Sequence, residues 1–225
     1  MAFGRLRCAA MRLAAALVLL AALTVTASAL AGPHDPTKRL TTADNARAQR
    51  GLIRAADLGT GWKSGAPMQD SDSDCAGFSP DESALVQTGE ASGPTLTHPS
   101  GSVITTGVDI FRTAAEVRRD WALVVQPGLL RCITAAAKAG SDANSKVSGV
   151  SAKRLPFPQI APMTALYRVV MNVTAAGRTM PFAMDFVLVG SGRYELTLMV
   201  AQLGRSVPRD AEVSLARLML KRLQA

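Results

Sequence analysis

Residues 178–203 read RTMPFAMDFVLVGSGRYELTLMVAQL, and this stretch decides the fold. From 180 to 188 every second residue is apolar: Met180, Phe182, Met184, Phe186 and Leu188. This is the period of a β-strand with one buried face. A Gly-Ser-Gly turn at 190–192 suits a hairpin. The apolar alternation then resumes at Tyr194, Leu196, Leu198 and Val200. The stretch therefore predicts two long antiparallel strands that share one apolar face.

Strand and helix patterns fill the rest of the chain. Four further strands are predicted at about residues 90–97, 103–112, 145–155 and 166–174. Thr113 and Glu116 form a capping box that opens the longest helix, and Pro127 breaks that helix. Shorter helices are predicted from Thr42 and from Pro208. An apolar sheet face needs a cover, so we predict an α+β fold, with an antiparallel sheet of about five to six strands under helices in a two-layer sandwich.

The N-terminus has the organisation of a secretory signal peptide. Three arginines precede an apolar run from Leu13 to Val25, and Ala29 and Ala31 form a small-residue cleavage site. The run is shorter than the roughly 20 residues of a spanning helix, and Pro33 stands where a lipoprotein signal requires cysteine. We predict a signal peptide over 1–31, a tether over 32–40 and a single domain over 41–225. The mature protein is expected to be secreted or periplasmic in the cell envelope, without a transmembrane span, unless the signal is retained as an anchor.

Two cysteines remain after the signal peptide is removed. Cys8 lies in the signal peptide, which leaves Cys75 and Cys132 in an oxidising compartment. An even pair in such a compartment predicts a disulfide bond. That bond would connect a polar loop to the longest helix.

An acidic segment lies beside the first of these cysteines. Asp70, Asp72 and Asp74 alternate as carboxylates do at the start of an EF-hand calcium loop. Cys75 occupies the position where that loop needs glycine for its sharp turn. We therefore predict a solvated acidic loop, no metal site and no cofactor.

The positive charge is spread along the chain. The net charge is +8, and the basic residues do not form a stripe with interleaved aromatic residues. Nucleic-acid-binding domains present such a stripe, so we expect no nucleic-acid partner. Attraction to anionic envelope polymers or lipid headgroups remains open.

Two sets of residues resemble the extracellular sensor domain of mycobacterial serine/threonine kinases and related actinobacterial envelope lipoproteins. One is the sequence AADLGTGW at 55–62; the other is the cysteine pair together with Trp121 and the sequence LLRC at 129–132. The resemblance covers about residues 41–223. It implies a PsbP-like fold, in which helices pack on an antiparallel sheet, and a non-catalytic domain that binds an envelope ligand or partner. No kinase domain accompanies it in this sequence, so we expect no cytoplasmic signalling output.

Hydrolase chemistry has little support in the sequence. The two histidines are His34, in the tether, and His98, in a predicted turn. The sequence contains no Gly-x-Ser-x-Gly elbow and no His-Glu-x-x-His motif. Asp185 and Glu195 are expected to face each other across the hairpin, either as a glycosidase-like carboxylate pair or as a surface ion-pair set with Arg193. We predict that the protein is not an enzyme.

Two binding functions remain. The first is a secreted domain that recognises an envelope ligand, polymer or protein partner through an exposed sheet face or a cleft. The second is a carrier that holds a lipid-like molecule in a cavity between sheet and helices, because methionine adapts to irregular apolar partners. The residues predicted to line that cavity are Trp62, Trp121, Met171, Met184 and Met199.

Overall fold

A computed structural model describes residues 34–68, 78–141, 145–204 and 207–225. The predicted signal peptide, Cys75 and the acidic segment at 70–74 lie outside these ranges. The described residues form an α+β fold with a mixed, mostly antiparallel sheet, so the predicted fold class is confirmed.

Four helices are described, and local capping sets where they begin. They are α1 (Thr42–Gly51), α2 (Ala114–Val124), α3 (Pro127–Ala139) and α4 (Arg209–Gln224). The predicted capping box is present: the Glu116 N–H donates to the Thr113 hydroxyl at 3.2 Å, and the Thr113 N–H donates to the Glu116 carboxylate at 2.9 Å. Pro127 takes the first position of α3, where its missing N–H removes no intrahelical bond. The predicted break of the long helix is therefore confirmed.

The sheet has nine strands within the described ranges, more than the predicted five to six. They are β1 (Thr37–Lys38), β2 (Lys63–Pro67), β3 (Val86–Ser92), β4 (Pro94–His98), β5 (Ser102–Phe111), β6 (Ser145–Leu155), β7 (Met163–Ala175), β8 (Arg178–Ser191) and β9 (Tyr194–Leu203). The excess has a physical reason. β1 and β2 are too short and too exposed to show an alternating pattern, and the strand predicted at 90–97 is divided at Gly93.

The strand order is β1-β3-β5-β9-β8-β7-β6. β4 pairs with the N-terminal end of β5, and β2 pairs with β4. Every described pair is antiparallel except the short β1–β3 pair. Its strand β1 belongs to the segment predicted as a tether. One edge of the sheet is therefore β6, whose described partner is β7.

The turn between β8 and β9 differs from the prediction. The turn residues are Gly192 and Arg193, because Ser191 pairs directly with Tyr194. The predicted three-residue turn at 190–192 would pair Val189 with Arg193, and therefore Phe186 with Leu196, which is three positions out of this register. Since side chains alternate with a period of two, a shift by an odd number of positions moves a whole strand's side chains to the other face.

The register corrects the prediction of one shared apolar face. Phe186 lies opposite Met199, and Val187 lies opposite Leu198. The apolar set at 180–188 therefore points to one face of the sheet, and the apolar set at 194–200 points to the other. Residues opposite each other on neighbouring strands share a face, so both faces are apolar and both need a cover.

Helices cover both faces, so the fold has three layers rather than the predicted two. Helices α1 and α4 pack on the face that carries Val187 and Leu198, where the larger core cluster lies. Helices α2 and α3 pack on the opposite face, where Val117 of α2 meets Phe111 and Ile133 of α3 lies against the β6–β7 side chains. These are called the α1/α4 face and the α2/α3 face below.

The contact between α1 and β3 gives a stability test. A Cβ on Gly89 would lie 2.7 Å from the backbone carbonyl carbon of Asp44 in α1. We expect Gly89→Ala to lower the free energy of unfolding by about 1–3 kcal/mol, the usual cost of overpacking, in urea denaturation. Gly107→Ala is the matched control, since it lies in the neighbouring strand β5 and its Cβ would meet nothing within 4 Å. Equal losses from both substitutions would contradict close packing of α1 on β3.

Candidate functional site

The structure does not bring the five predicted cavity-lining residues together. The register of β7, β8 and β9 places Met171, Met184 and Met199 on the α2/α3 face. Trp121 belongs to α2, which packs on that face. Trp62 packs instead at the margin of the α1/α4 core, against the ring of His98 with centroids 5.4 Å apart. A cavity lined by all five residues is therefore not formed.

Two open surface pockets occur elsewhere in the described part of the chain. One, of about 410 Å³, is lined by Arg154, Leu155, Pro156, Phe157, Thr164 and Ala165. The other, of about 420 Å³, is lined by Arg50, Arg54, Arg222 and Ala225. Neither contains a predicted lining residue, and both are bordered by arginine.

Four carboxyl groups converge on the α2/α3 face and form what we call the carboxyl cluster: Glu82, Asp109, Asp120 and Glu195. Asp109 on β5 and Glu195 on β9 lie directly opposite each other. Asp120 reaches them from α2, is only 4% exposed and is hydrogen-bonded to Glu195. Glu82 precedes β3 and lies close enough for the charges of Asp109 and Asp120 to act on it. Like charges directly opposite on paired strands destabilise a sheet, so this cluster has to be neutralised.

Protonation of its carboxyl groups neutralises the cluster. Two ionised carboxylates only accept hydrogen bonds, so the bond between Asp120 and Glu195 requires a proton on one of them. Burial, together with the Asp120 carboxyl, raises the pKa of Glu195 far above its usual range, and burial raises the pKa of Asp120. Burial and the nearby carboxylates raise the pKa of Glu82 to about 7. One oxygen each of Asp120 and Glu195 is buried without a hydrogen-bond partner.

A second buried ionic network fixes α4 on the opposite face. Arg168 on β7 donates to both carboxylate oxygens of Asp185, at 2.7 and 2.5 Å, and also to the Val207 carbonyl. Glu212 of α4 is fully buried, is hydrogen-bonded to Asp185 and lies 3.3 Å from the guanidinium of Arg209. Burial and the Asp185 carboxylate raise the pKa of Glu212 well above its usual range. Glu212 therefore keeps its proton in the folded protein at neutral pH.

The predicted pairing of Asp185 with Glu195 is wrong. Asp185 lies opposite Val200 and Glu195 opposite Gly190, so the two carboxylates point to opposite faces. Asp185 is fully buried and Glu195 is half-buried, so neither is on an open surface. Arg193 pairs with neither: its guanidinium donates to Asp44 at 2.7 Å. The hairpin therefore does not present the carboxylate pair of a glycosidase.

The one described serine–histidine contact belongs to a turn. His98 Nδ1 lies 2.8 Å from Ser100 Oγ and also accepts the Ser100 backbone N–H at 3.2 Å. Ser100 Oγ continues to Ser102 Oγ, which accepts a hydrogen bond from Gln202. These hydrogen bonds close the β4–β5 turn and connect it to β9. The serine–histidine contact therefore has a structural role in the turn.

The predicted disulfide remains a prediction. Cys132 lies in α3, as expected. Cys75 lies outside the described residues.

Part of the α1/α4 face is left uncovered beyond the end of α4, and we call it the open sheet face. It is formed by exposed side chains of three strands: Lys146, Ser148, Ser151, Lys153, Val170, Asn172, Thr179 and Pro181. Cross-strand rows such as Ser148–Asn172–Pro181 place these side chains on one surface. A register shift between Ser148 and Ser151 keeps both serines on that surface, because the extra residue of a β-bulge restores the alternation. The predicted exposed sheet face is therefore a defined surface.

Among the described residues, no group of three or more His, Cys, Asp or Glu side chains is arranged to hold a metal ion. No helix within the described ranges has the length and apolar character needed to cross a membrane.

The fold is similar to two solved structures from Mycobacterium tuberculosis. The extracellular domain of PknH is 14% identical, with 85% of this chain and 100% of that chain covered and a TM-score of 0.47. LpqN, involved in cell envelope biogenesis, is 10% identical, with 74% and 78% covered and a TM-score of 0.27. No family model and no curated protein matches the chain. The two neighbours are an extracellular domain and a protein involved in cell envelope biogenesis.

The buried glutamate of α4 makes stability depend on pH. The folded protein keeps a proton on Glu212 that the unfolded chain releases near the ordinary glutamate pKa of 4.5. Stability therefore falls as pH rises above that value, until the folded group also loses its proton. We expect Glu212→Gln to raise the free energy of unfolding at pH 8 by about 2 kcal/mol and to flatten its decline between pH 5 and pH 8, since one proton contributes at most about 1.4 kcal/mol per pH unit.

Urea denaturation at pH 5 and pH 8 measures this effect. Asp210→Asn is the matched control, because Asp210 is exposed two residues earlier in the same helix. A pH dependence of Glu212→Gln identical to that of the unsubstituted protein would show that Glu212 is ionised in the fold.

Proposed function

We propose that this chain is a secreted, non-catalytic binding domain of the cell envelope and that its open sheet face binds an anionic envelope polymer. The proposal depends on one observation: the three strands that form this face present exposed cationic side chains without exposed carboxylates.

The charge distribution of strands β6 to β8 supports an anionic ligand. Residues 145–191 contain a single acidic residue, Asp185. Its carboxylate is fully buried against Arg168 and contributes no negative charge to the surface. Lys146 and Lys153 are the exposed cations of the open sheet face, whereas Arg154 and Arg178 pair with Tyr167 and Ala175 and so belong to the α2/α3 face. Two exposed lysines without an exposed carboxylate give this face a positive potential, which raises the local concentration of polyanions.

The shape and chemistry of the face support an extended, hydrated ligand. Its cross-strand rows run from Lys146–Thr174–Thr179 at one end to Lys153–Arg168–Asp185 at the other. At strand spacings this is a surface of about 20 by 10 Å. Hydroxyl and amide groups between the two lysines can donate and accept hydrogen bonds with sugar hydroxyls or phosphodiester oxygens. A polymer strand can lie along this surface without entering a cavity.

A lipid carrier has less support. Lipid-like ligands need enclosed, mostly apolar sites, whereas the two pockets described above are open and bordered by arginine. We therefore place binding on the sheet surface.

Cosedimentation with protein-free bacterial cell walls tests the proposal. We expect the double substitution Lys146→Glu and Lys153→Glu to weaken binding at least tenfold, because it reverses the charge at both ends of the face. The matched control is Arg118→Glu with Arg119→Glu, which makes the same charge change at exposed positions on α2. The control is expected to bind almost as well as the unsubstituted domain.

Three results would overturn parts of this proposal. Equal losses in both double variants would mean that net charge alone attracts the domain to walls. Unchanged binding by the β6 variant would exclude the open sheet face. Binding that needs wall-associated protein and persists after chemical removal of the anionic polymers would replace the polymer by a protein partner.

A further inference from the structure

We propose that the carboxyl cluster is a proton-operated latch: its protonated form holds the N-terminal arm, residues 34–41, and helix α2 on the sheet, and proton loss loosens both. This goes beyond the proposed function, because it concerns the opposite end of the sheet and needs no ligand at the open sheet face.

The N-terminal arm is fastened through the segment that carries Glu82. The Glu82 N–H donates to the His34 carbonyl at 2.8 Å, and the Thr37 N–H donates to the Leu85 carbonyl at 2.9 Å. Farther along, the Thr41 N–H donates to the Thr88 carbonyl at 2.8 Å. Any force that moves Glu82 away from the sheet therefore acts directly on the arm.

Three other elements direct carboxyl groups at this point. Asp109 comes from β5, Glu195 from β9 and Asp120 from α2, and the Asp35 carboxylate of the arm adds its charge to those acting on Glu82. From β3, the amide of Gln87 donates to Asp109 at 2.6 Å. Asp120 is more than nine-tenths buried, and one of its carboxyl oxygens is buried without a bond from any N–H or hydroxyl donor. This oxygen is a site for a proton inside the seam between α2 and the sheet.

Cations at the margin are committed to other partners. Arg112 pairs with Glu116 at 2.7 Å and Lys38 pairs with Glu90 at 2.7 Å. Each proton lost therefore adds a negative charge to a group of buried and half-buried carboxyls. The repulsion acts between the elements that the cluster joins.

The direction of the pH effect follows from Glu82. In the closed seam its pKa is about 7, whereas its ordinary value is 4.5. The closed form thus keeps a proton that a released arm would lose, so closure is strongest at acidic pH and weakens up to about neutral pH. Between pH 5.5 and pH 8.0 these two values correspond to a change of about thirtyfold in the closing equilibrium.

Hydrogen exchange resolved along the chain tests the latch. After correction for the intrinsic pH dependence of exchange, amides of the arm and of α2 in the unsubstituted protein should open about thirtyfold more at pH 8.0 than at pH 5.5. Glu82→Gln imitates the protonated carboxyl and should reduce that ratio to a few-fold. Asp120→Asn removes one of the charges that act on Glu82 and should reduce the ratio by less, because burial still raises the pKa of Glu82. Two controls should keep the full ratio: Asp210→Asn, an exposed acid, and Glu212→Gln, a buried acid on the opposite face.

Two outcomes would overturn the latch. The first is protection of the arm and α2 that does not change with pH in the unsubstituted protein, a measurement that does not depend on whether any variant folds. The second is full restoration of protection at pH 8.0 by millimolar calcium, which would make the cluster a cation site instead.

Discussion

The register of the β8–β9 hairpin is the constraint on which the rest of the structure depends. A two-residue turn pairs Ser191 with Tyr194, and this pairing fixes every cross-strand neighbour along ten positions of β8 and β9. Because of it, apolar side chains emerge on both faces of the sheet. A sheet with two apolar faces cannot be satisfied by one layer of helices, so the chain places α1 and α4 on one face and α2 and α3 on the other.

The same constraint explains the unusual number of buried acids. Once both faces are covered, a carboxylate on a central strand has no solvent-facing side. Asp185 meets this with a bidentate arginine and the protonated Glu212, whereas Glu195 shares a proton with Asp120. In the first case an ion pair and a protonated acid hold α4 on the sheet. In the second case a proton shared by two carboxyl groups holds α2 on the sheet. Acids of the second kind make the packing of a domain responsive to its surroundings, and an extracytoplasmic domain is exposed to external pH.

Local signals predicted local structure well. The Thr113–Glu116 box, the break at Pro127 and the bounds of the strand at 145–155 follow from side chains that act within a few residues. Which face a strand turns toward the core could not be predicted in the same way, because an error of one residue in a turn inverts it. A two-residue turn at Gly192–Arg193 was compatible with the sequence, and that choice alone would have placed the two apolar sets on opposite faces.

The candidate site was harder to predict than the fold. Asp120 shares a helix face with Val117 and Trp121, which lie three positions before and one after it. A single acid inside an apolar stripe was a signal for the cluster, but its partners Glu82, Asp109 and Glu195 come from segments far away in the sequence. The open sheet face was visible only as a region poor in acidic residues; its surface required the pairing of β6, β7 and β8.

Nuclear Overhauser contacts across the β8–β9 hairpin measure the central constraint most directly. The structure predicts cross-strand contacts between Phe186 and Met199 and between Val187 and Leu198. Contacts between Phe186 and Leu196 would instead place both apolar sets on one face, and the two-faced sheet, its second layer of helices and the buried carboxyl cluster would all be wrong.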